Sequence, residues 1–234
     1  MYKKISAFFA GLFLLVTGVC AQNSFLGIGA IYSNHSRKGL DNYMNYALKE
    51  LDLPQCSFPD TYGISAGYAV KSNSSEFIFG GSYSIGKNVV ESSDKSRIVS
   101  FKQNVFNLNL GVDKYLVPWY FLGGQFLVSS FTGTFKYDNS GTPLPADSYI
   151  DFTEDSFNFL KGYSVGLRGE TGFFVPVGDN GSGLKLSGYY DLGLSKYNYY
   201  ESFDKVLTTY TGDQKTKENT WGIALQYQFG LGEN

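Results

Sequence analysis

Five charged residues between positions 113 and 191 are the side chains best placed to carry chemistry. Those that share a segment stand an even number of residues apart, as Arg168 and Glu170 do, so they project from one face of an extended chain. If that face lies inside the protein, each charge needs a partner, because an unpaired buried charge costs several kcal/mol. The simpler interpretation is a polar core, and the functional alternative is a narrow pore or gate. We predict an internal network of two cations and three carboxylates: Arg168, Lys185, Glu170, Asp191 and Asp113.

A second group of candidate reactive residues includes His35, the only histidine. The segment from 91 to 94 supplies Glu91, Ser92, Ser93 and Asp94, and a Ser-His-Asp grouping at one rim could perform acyl transfer. The alternative is a solvated loop histidine, which we favour, and we assign no catalytic residue. The sequence has no cluster of Cys and His at metal-ligand spacing, so we expect neither a metal site nor a cofactor.

These residues are positioned by segments that alternate between large apolar residues and small or polar ones, the pattern of a β-strand with two unlike faces. In the last segment, Trp221, Ile223, Leu225, Tyr227 and Phe229 alternate with glycine, alanine and glutamine. The five charged residues fall on the strand faces that carry the small or polar residues, here called the minor faces. Eight such segments are bounded by turn residues, and we expect strands over about 24–33, 61–70, 76–87, 97–116, 119–136, 157–177, 184–200 and 221–229.

The first residues of the chain have the pattern of an export signal. Lys3 and Lys4 precede an apolar run that ends in a small-residue cleavage site. We expect a signal peptide over residues 1–21 and a barrel domain over 22–234, the alternatives being an uncleaved anchor or a lipoprotein acylated at Cys20. Cleavage would leave one of the two cysteines, so no internal disulfide is expected. No later apolar run has the length of a spanning helix, so a membrane location would require a closed β-barrel.

The composition favours such a barrel over a soluble β-protein. Charged residues form 17% of the chain and the formal net charge is −2, so we expect no nucleic-acid partner. The minor faces hold mostly Gly, Ala, Ser, Asn and Gln, which suit the lumen of a narrow barrel better than the solvent face of a β-sandwich. A lipocalin-type barrel would turn its apolar face inward. We therefore predict an all-β fold, an eight-stranded antiparallel up-and-down transmembrane β-barrel.

The connections between the predicted strands alternate between short and long, which places short turns at one end and long loops at the other. Apolar residues at helical spacing in the first long connection predict a short helix that packs on the barrel rim, the alternative being a lid or a helix in the outer leaflet: Leu40, Tyr43, Met44, Ala47, Leu48 and Leu51. Aromatic residues near strand ends are expected at the lipid interfaces: Tyr62, Trp119, Trp221, Tyr227 and Phe229. Further aromatic residues in the later loops suit contact with a partner: Tyr149, Phe152, Phe203 and Tyr210.

The signal peptide, the eight alternating strands, the alternating loop lengths and the closing strand "WGIALQYQFG" resemble small outer-membrane barrels of the OmpA/OmpX type, especially the outer membrane protein β-barrel domain proteins of Gram-negative bacteria such as the Bacteroidetes. The resemblance implies an outer-membrane location and contact with outer-membrane lipid and lipopolysaccharide. It also implies assembly by the barrel-assembly machinery, for which Phe229 best matches the terminal aromatic, although Gly-Leu-Gly-Glu-Asn follows it.

The function expected from this resemblance is a structural or surface-interaction role through long extracellular loops, with an extracellular partner that the sequence does not identify. A narrow porin for small solutes is the first alternative, and a lipid-modifying enzyme of the outer membrane is the second. No peptidoglycan-binding domain follows the last predicted strand, so a tether to the cell wall is not expected.

Overall fold

The protein is described by a computed structural model that covers residues 24–139, 156–178, 180–198 and 215–231. The predicted signal peptide and the four loop aromatics, Tyr149, Phe152, Phe203 and Tyr210, lie outside these ranges. The elements in chain order are β1 (Ser24–Ser36), α1 (Lys38–Glu50), β2 (Thr61–Ser72), β3 (Ser75–Glu91), β4 (Arg97–Val117), β5 (Tyr120–Asn139), β6 (Ser156–Pro176), β7 (Gly183–Gly193), β8 (Tyr197–Asn198), β9 (Lys215–Thr216) and β10 (Asn219–Gly230).

Eight of the strands form a closed antiparallel barrel in the order β1-β10-β7-β6-β5-β4-β3-β2, and β8 pairs with β9 in a separate small sheet. The ring closes where β10 pairs with β1, in a register that runs from Phe25 with Gly230 to Ser36 with Asn219. The predicted all-β, eight-stranded antiparallel barrel and its additional helix are therefore confirmed. Within the described ranges, no helix is long and apolar enough to cross a bilayer.

The seventh predicted strand, 184–200, is wrong in its end point, because β7 stops at Gly193. The amides of Leu194 and Ser195 both donate to the carbonyl oxygen of Val165, at 2.8 and 3.2 Å. Two successive amides on one acceptor break the alternation of the ladder. The chain therefore leaves the barrel there, although the apolar alternation continues through Leu194.

The barrel has two unlike ends. The turn end carries the chain segments Ser72–Ser75, Val117–Tyr120 and Pro176–Gly183 together with Ser24 and Gly230. The opposite end, here called the loop end, carries α1 and the longer connections. Strands β4, β5 and β6 contain 21, 20 and 21 residues whereas β7 contains 11, so one side of the wall projects further at the loop end.

Large apolar side chains cover the outer face of the wall, and the alternate residues point into the lumen. On β10, Trp221, Ile223 and Leu225 are about half exposed, whereas Gly222 and Ala224 between them are buried. The same alternation recurs on β4, where Phe106, Leu108, Leu110 and Val112 are the exposed set. The assignment of the apolar faces to the outside of the barrel is therefore confirmed.

Helix α1 packs across the inward face of the projecting strands. Its residues Met44, Leu48 and Leu51 are almost completely buried in the largest apolar cluster of the described residues. The cluster, here called the roof, also contains Ala47, Leu53, Phe58, Val90, Val99, Phe101, Val105, Phe131, Phe135 and Tyr137. Because this helix face is covered by strands of the same chain, the outer-leaflet alternative is wrong. The helix packs inside the loop end of the barrel, a position that fits both the rim and the lid interpretations. The side chains of Leu40 and Tyr43 lie outside the described part.

The segment that follows α1 is fastened back onto the helix. The carboxylate of Asp41 accepts a hydrogen bond from the Phe58 amide at 3.0 Å, and the side-chain oxygen of Asn45 accepts one from the Cys56 amide at 2.9 Å. Cys56 is a free thiol that packs against the roof, and its burial raises the pKa of the thiol to about 11. The roof is therefore an ordered part of the loop end rather than a loose connection.

Leu48→Ala is expected to lower the free energy of unfolding by about 2–5 kcal/mol, because it removes a fully buried side chain from the roof. Urea unfolding of the refolded protein in detergent micelles measures the change. Lys49→Ala, on the exposed face of the same helix, is the control and should shift the free energy of unfolding by less than about 0.5 kcal/mol. Equal effects of the two variants would contradict the packing described here.

Candidate functional site

Three carboxylates lie in one row of inward positions near the turn end of the lumen. Glu76 on β3 pairs in register with Asp113 on β4, which pairs with Gly123 on β5, which pairs with Glu170 on β6. A side chain at Gly123 would meet Asp113 Oδ1 at 1.9 Å and Glu170 Cγ at 2.9 Å. The glycine therefore leaves the space into which the two flanking carboxylates lean.

Lys185 reaches this row from β7, on another part of the wall. Its ammonium group contacts Asp113 Oδ2, lies 3.4 Å from Glu76 Oε2 and stands 4.5 Å from the centre of the Phe121 ring. Glu76 also accepts hydrogen bonds from the Tyr115 hydroxyl at 2.7 Å and from Gln228 Nε2 at 2.6 Å. These contacts join β3, β4, β7 and β10 through side chains that are buried almost completely.

Arg168 and Asp191 form a second ion pair further along the lumen. They are direct neighbours on β6 and β7, and the guanidinium donates to both carboxylate oxygens, from Nε at 2.7 Å and from Nη2 at 2.9 Å. The guanidinium carbon also lies 3.9 Å from the centre of the Tyr189 ring. Such a two-point contact fixes the guanidinium in one orientation across the lumen.

The five residues singled out from the sequence thus all face the lumen, but the pairing differs in detail from the expected one. Lys185 contacts Asp113 and Glu76, while Glu170 accepts a hydrogen bond from Gln125 Nε2 at 2.6 Å. Glu76 was not singled out from the sequence, although the alternation of its strand indicates an inward side chain. It stands one residue before the outward Phe77, on the minor face of the strand. Its importance depends on Lys185, which is 109 residues away in the chain.

The lumen holds two small polar cavities on either side of the Arg168–Asp191 pair. The first, of about 50 Å³, is lined by Arg168 and Glu170 among others, and the second, of about 20 Å³, is lined by Asp191 and Ser164 among others. A buried water needs roughly 10–15 Å³ of such cavity volume. The first cavity therefore has room for a few water molecules and the second for about one. The ion pair therefore lies between the two polar cavities.

A third polar cluster lies beneath the roof at the junction of β1 and α1. Arg37 is completely buried, donates to Glu218 Oε1 at 2.5 Å and contacts Gln103 Oε1. His35 Nδ1 lies 2.5 Å from the same Glu218 oxygen, and His35 Nε2 lies 2.9 Å from Thr61 Oγ1. Phe58 and Phe131 rings stand 5.7 and 5.3 Å from the Arg37 guanidinium carbon. None of this cluster except His35 was singled out from the sequence.

The rim grouping considered for acyl transfer is not assembled. His35 is buried against Glu218 and Thr61, which also contradicts the expectation of a solvated histidine. Asp94 instead accepts hydrogen bonds from Ser92 Oγ at 2.5 Å and from the amide and hydroxyl of Ser96. These bonds lower the pKa of the Asp94 carboxyl to about 2, the Ser92 hydroxyl having the largest effect. The Asp94 carboxylate therefore stabilises its own turn.

The five aromatic residues expected at lipid interfaces lie near opposite ends of the wall. At the loop end, Tyr62 and Trp221 flank Tyr32, with ring centres 5.1 and 5.7 Å from it. At the turn end, Trp119 stacks on Phe173 at 5.9 Å. The remaining pair, Tyr227 and Phe229, has ring centres 4.6 Å apart, and the Tyr227 hydroxyl donates to the Val177 carbonyl near the turn end.

Gly123→Ala is expected to lower the free energy of unfolding by about 1–3 kcal/mol, because the new methyl group would overlap the Asp113 carboxylate. The adjacent Gly124→Ala is the matched control, since no atom lies within 4 Å of its added carbon. Urea unfolding in detergent compares the two. Indistinguishable midpoints for the two variants would show that the carboxylate row is not packed as described.

Glu218→Gln is expected to lower the free energy of unfolding by about 3 kcal/mol, because a neutral amide replaces the carboxylate that contacts the buried Arg37 guanidinium. Adding Arg37→Met to Glu218→Gln should recover part of that loss, which a double-mutant cycle measures. Glu91→Gln, at an exposed carboxylate, serves as the control. Additive effects of the two substitutions would contradict direct coupling.

Comparison with known proteins finds no matching family model and no matching curated protein. Among solved structures, the chain is similar to Ail, the attachment invasion locus protein of Yersinia pestis, at 13% identity and a TM-score of 0.45, over 89% of this chain and 99% of that one. Neisserial surface protein A gives 12% identity and a TM-score of 0.46, over 88% and 96%. The N-terminal β-barrel domain of Pseudomonas aeruginosa OprF gives 14% identity and a TM-score of 0.37, over 89% of this chain and 98% of that one. These three solved structures are small outer-membrane β-barrels.

Proposed function

We propose that the protein is an outer-membrane β-barrel with a structural or surface-interaction role, that its lumen is occluded, and that its loop end makes the contacts outside the membrane. The observation that carries this proposal is the inverted distribution of polarity across the wall. Apolar side chains cover the outside of the closed ring, whereas carboxylates, cations and amides fill the inside. A bilayer is the solvent that suits this arrangement.

The outer surface supports insertion into a bilayer in two ways. The exposed apolar residues surround the barrel, whereas a soluble monomer rarely exposes an apolar patch of more than a few hundred Å². Aromatic residues lie near both ends of this apolar surface, as they do at the two interfaces of membrane barrels. Because the ring is closed, each strand finds its backbone partners within the sheet, as hydrocarbon requires.

The lumen supports a structural or surface role rather than conduction. Lys185 bridges the carboxylate row near the turn end, the Arg168–Asp191 pair lies between the two cavities, and the roof covers the loop end. A solute would have to break buried ion pairs to pass, and breaking such a pair is strongly unfavourable. A narrow porin is therefore the less favoured function.

Export follows from the same proposal. The predicted signal peptide over 1–21 would deliver the chain to the periplasm, where the barrel-assembly machinery would read an aromatic in the last strand, best matched by Phe229. The turn end would then face the periplasm and the loop end the exterior. In this orientation the barrel would contact outer-membrane lipid and lipopolysaccharide, and its extracellular loops would meet any further partner.

The location is tested by cell fractionation combined with electrophoresis of heated and unheated samples. The full-length protein is expected in the outer-membrane fraction, and the unheated form should migrate differently from the boiled form, because a closed barrel resists detergent unfolding. Recovery in the soluble periplasmic fraction without a mobility change would overturn the proposal.

Occlusion is tested separately by conductance in planar bilayers. The refolded wild-type protein is expected to give no channel events, because ion pairs and the roof close the lumen. An open porin prepared in the same detergent serves as the positive control. Regular channel steps from this protein would reject the occluded lumen and favour the narrow porin.

A further inference from the structure

Three lysines form a basic patch on the outer face of the projecting strands, at the margin of the apolar surface. Lys87 on β3, Lys102 on β4 and Lys136 on β5 are all exposed and belong to the outward-facing alternation of their strands. Lys87 follows Ile85, an exposed apolar residue, by two positions, or roughly 7 Å along the strand. The patch therefore lies at the loop-end margin of the apolar surface, where Val89 is also exposed.

The register brings these three cations close together. Lys87 pairs directly with Lys102, and Lys136 pairs with Ser100, two residues from Lys102 on the same face. Directly opposed like charges destabilise a sheet, and diagonal neighbours stand about 7–8 Å apart, so the arrangement is unfavourable without an anion. Within the described ranges, no ion pair joins any of the three lysines to a carboxylate.

Among the described residues, the nearby carboxylates form no ion pair with the three lysines. Asp60 borders the patch, but its two oxygens accept hydrogen bonds from the Tyr32 hydroxyl at 2.6 Å and from Asn34 Nδ2 at 2.7 Å. Glu91 and Asp138 both pair in register with Ile98, which places them further toward the loop end than the lysines. The described part of the wall thus presents a basic zone between an apolar surface and an outer acidic margin.

The patch lines one side of an open groove of about 580 Å³, whose other side is apolar and aromatic. Tyr62 and Ile85 line the groove and are direct partners across β2 and β3. Ile64 and Tyr83, the next outward pair toward the turn end, are also exposed. A ligand that fits this surface has an anionic group beside the lysines and hydrocarbon along the apolar wall.

We infer that the basic patch binds the phosphate groups of an acylated, phosphorylated lipid in the leaflet around the loop end, with the acyl chains against Ile85 and Ile64. This inference rests on the proposed outer-membrane location, and it adds the site and the headgroup chemistry. Charge complementarity carries the assignment, because three cations that form no ion pair within the described ranges stand beside exposed apolar residues near the loop end. Lysine is a point-charge donor to phosphate and can also bury its aliphatic stem at such a boundary.

The test uses the full-length protein refolded in detergent, titrated with diphosphorylated lipid A and followed by native mass spectrometry. The triple variant Lys87→Gln, Lys102→Gln and Lys136→Gln should bind about a hundredfold more weakly, because each basic residue near an anionic lipid surface contributes roughly a factor of five. The matched control changes three exposed lysines elsewhere, Lys49→Gln, Lys114→Gln and Lys196→Gln, for the same loss of charge, and should bind as the wild type does.

Two further ligands identify what the patch recognises. Dephosphorylated lipid A should bind the wild type as weakly as the triple variant binds the phosphorylated form, and inorganic phosphate alone should not displace lipid A. Equal affinity of the triple variant and the wild type, equal affinity for dephosphorylated lipid A, or displacement by free phosphate would each overturn the inference.

The mobility shift on heating is measured for every variant, so that folding and binding are separated. If the triple variant does not fold, Lys102→Gln alone is used, and it should weaken binding by about fivefold. A wild type that shows the heat shift and fractionates with the outer membrane, but binds lipid A no better than the triple variant, would reject the patch and leave the proposed function standing. A wild type without that shift would reject the proposed function itself.

Discussion

Closure of the sheet is the constraint on which the rest of the structure depends. The pairing of β1 with β10 extends over twelve residue pairs, from Phe25 with Gly230 to Ser36 with Asn219, and it leaves no edge strand in the ring. A closed ring gives each strand one face inside and one outside, and a β-strand alternates its side chains between them. Each polar side chain on an inward face must therefore find its partner across a narrow lumen.

The interior meets this requirement at three levels along the barrel. Near the turn end, Lys185 compensates Glu76 and Asp113; further along, Arg168 holds Asp191; and beneath the roof, Arg37 and His35 share Glu218. Lys185 and Arg37 each join strands that are not neighbours in the ring, through Asp113 and Gln103 respectively. Arg168 and Asp191, in contrast, lie on adjacent strands. A lumen filled in this way leaves the outer surface and the loop end as the places where the protein can act.

The strands that project furthest at the loop end combine two unlike surfaces. On their inward faces, Val99, Phe101 and Phe135 accept the apolar side of α1 and are buried beneath it. On their outward faces, Lys102 and Lys136 are exposed at the margin of the apolar surface. One set of extended strands thus provides both the cover of the lumen and the basic patch, because adjacent residues of a strand project to opposite sides.

The barrel could be predicted from the sequence because alternation is a local property. Trp221, Ile223 and Leu225 are two residues apart, and this spacing suffices to identify a strand and its outer face. The same alternation along the strands predicted that the side chains of Arg168 and Lys185 point into the lumen. The end of β7 could not be found in this way, because the apolar pattern runs past Gly193 while the ladder stops where two amides share the Val165 carbonyl.

Pairing across the lumen could not be predicted, because it depends on the register and on the curvature of the closed wall. Nothing local to Glu76 indicates that Lys185, 109 residues later, contacts it, and nothing near Arg37 points to Glu218, 181 residues later. The sequence by itself determined the strands, their two faces and the amphipathic helix, since each is encoded by residues a few positions apart. Only the tertiary structure decided which charges are paired, which residues contact His35, and that the three lysines of the basic patch lie side by side. The physical reason is that closure of the sheet brings together residues that are far apart in the chain.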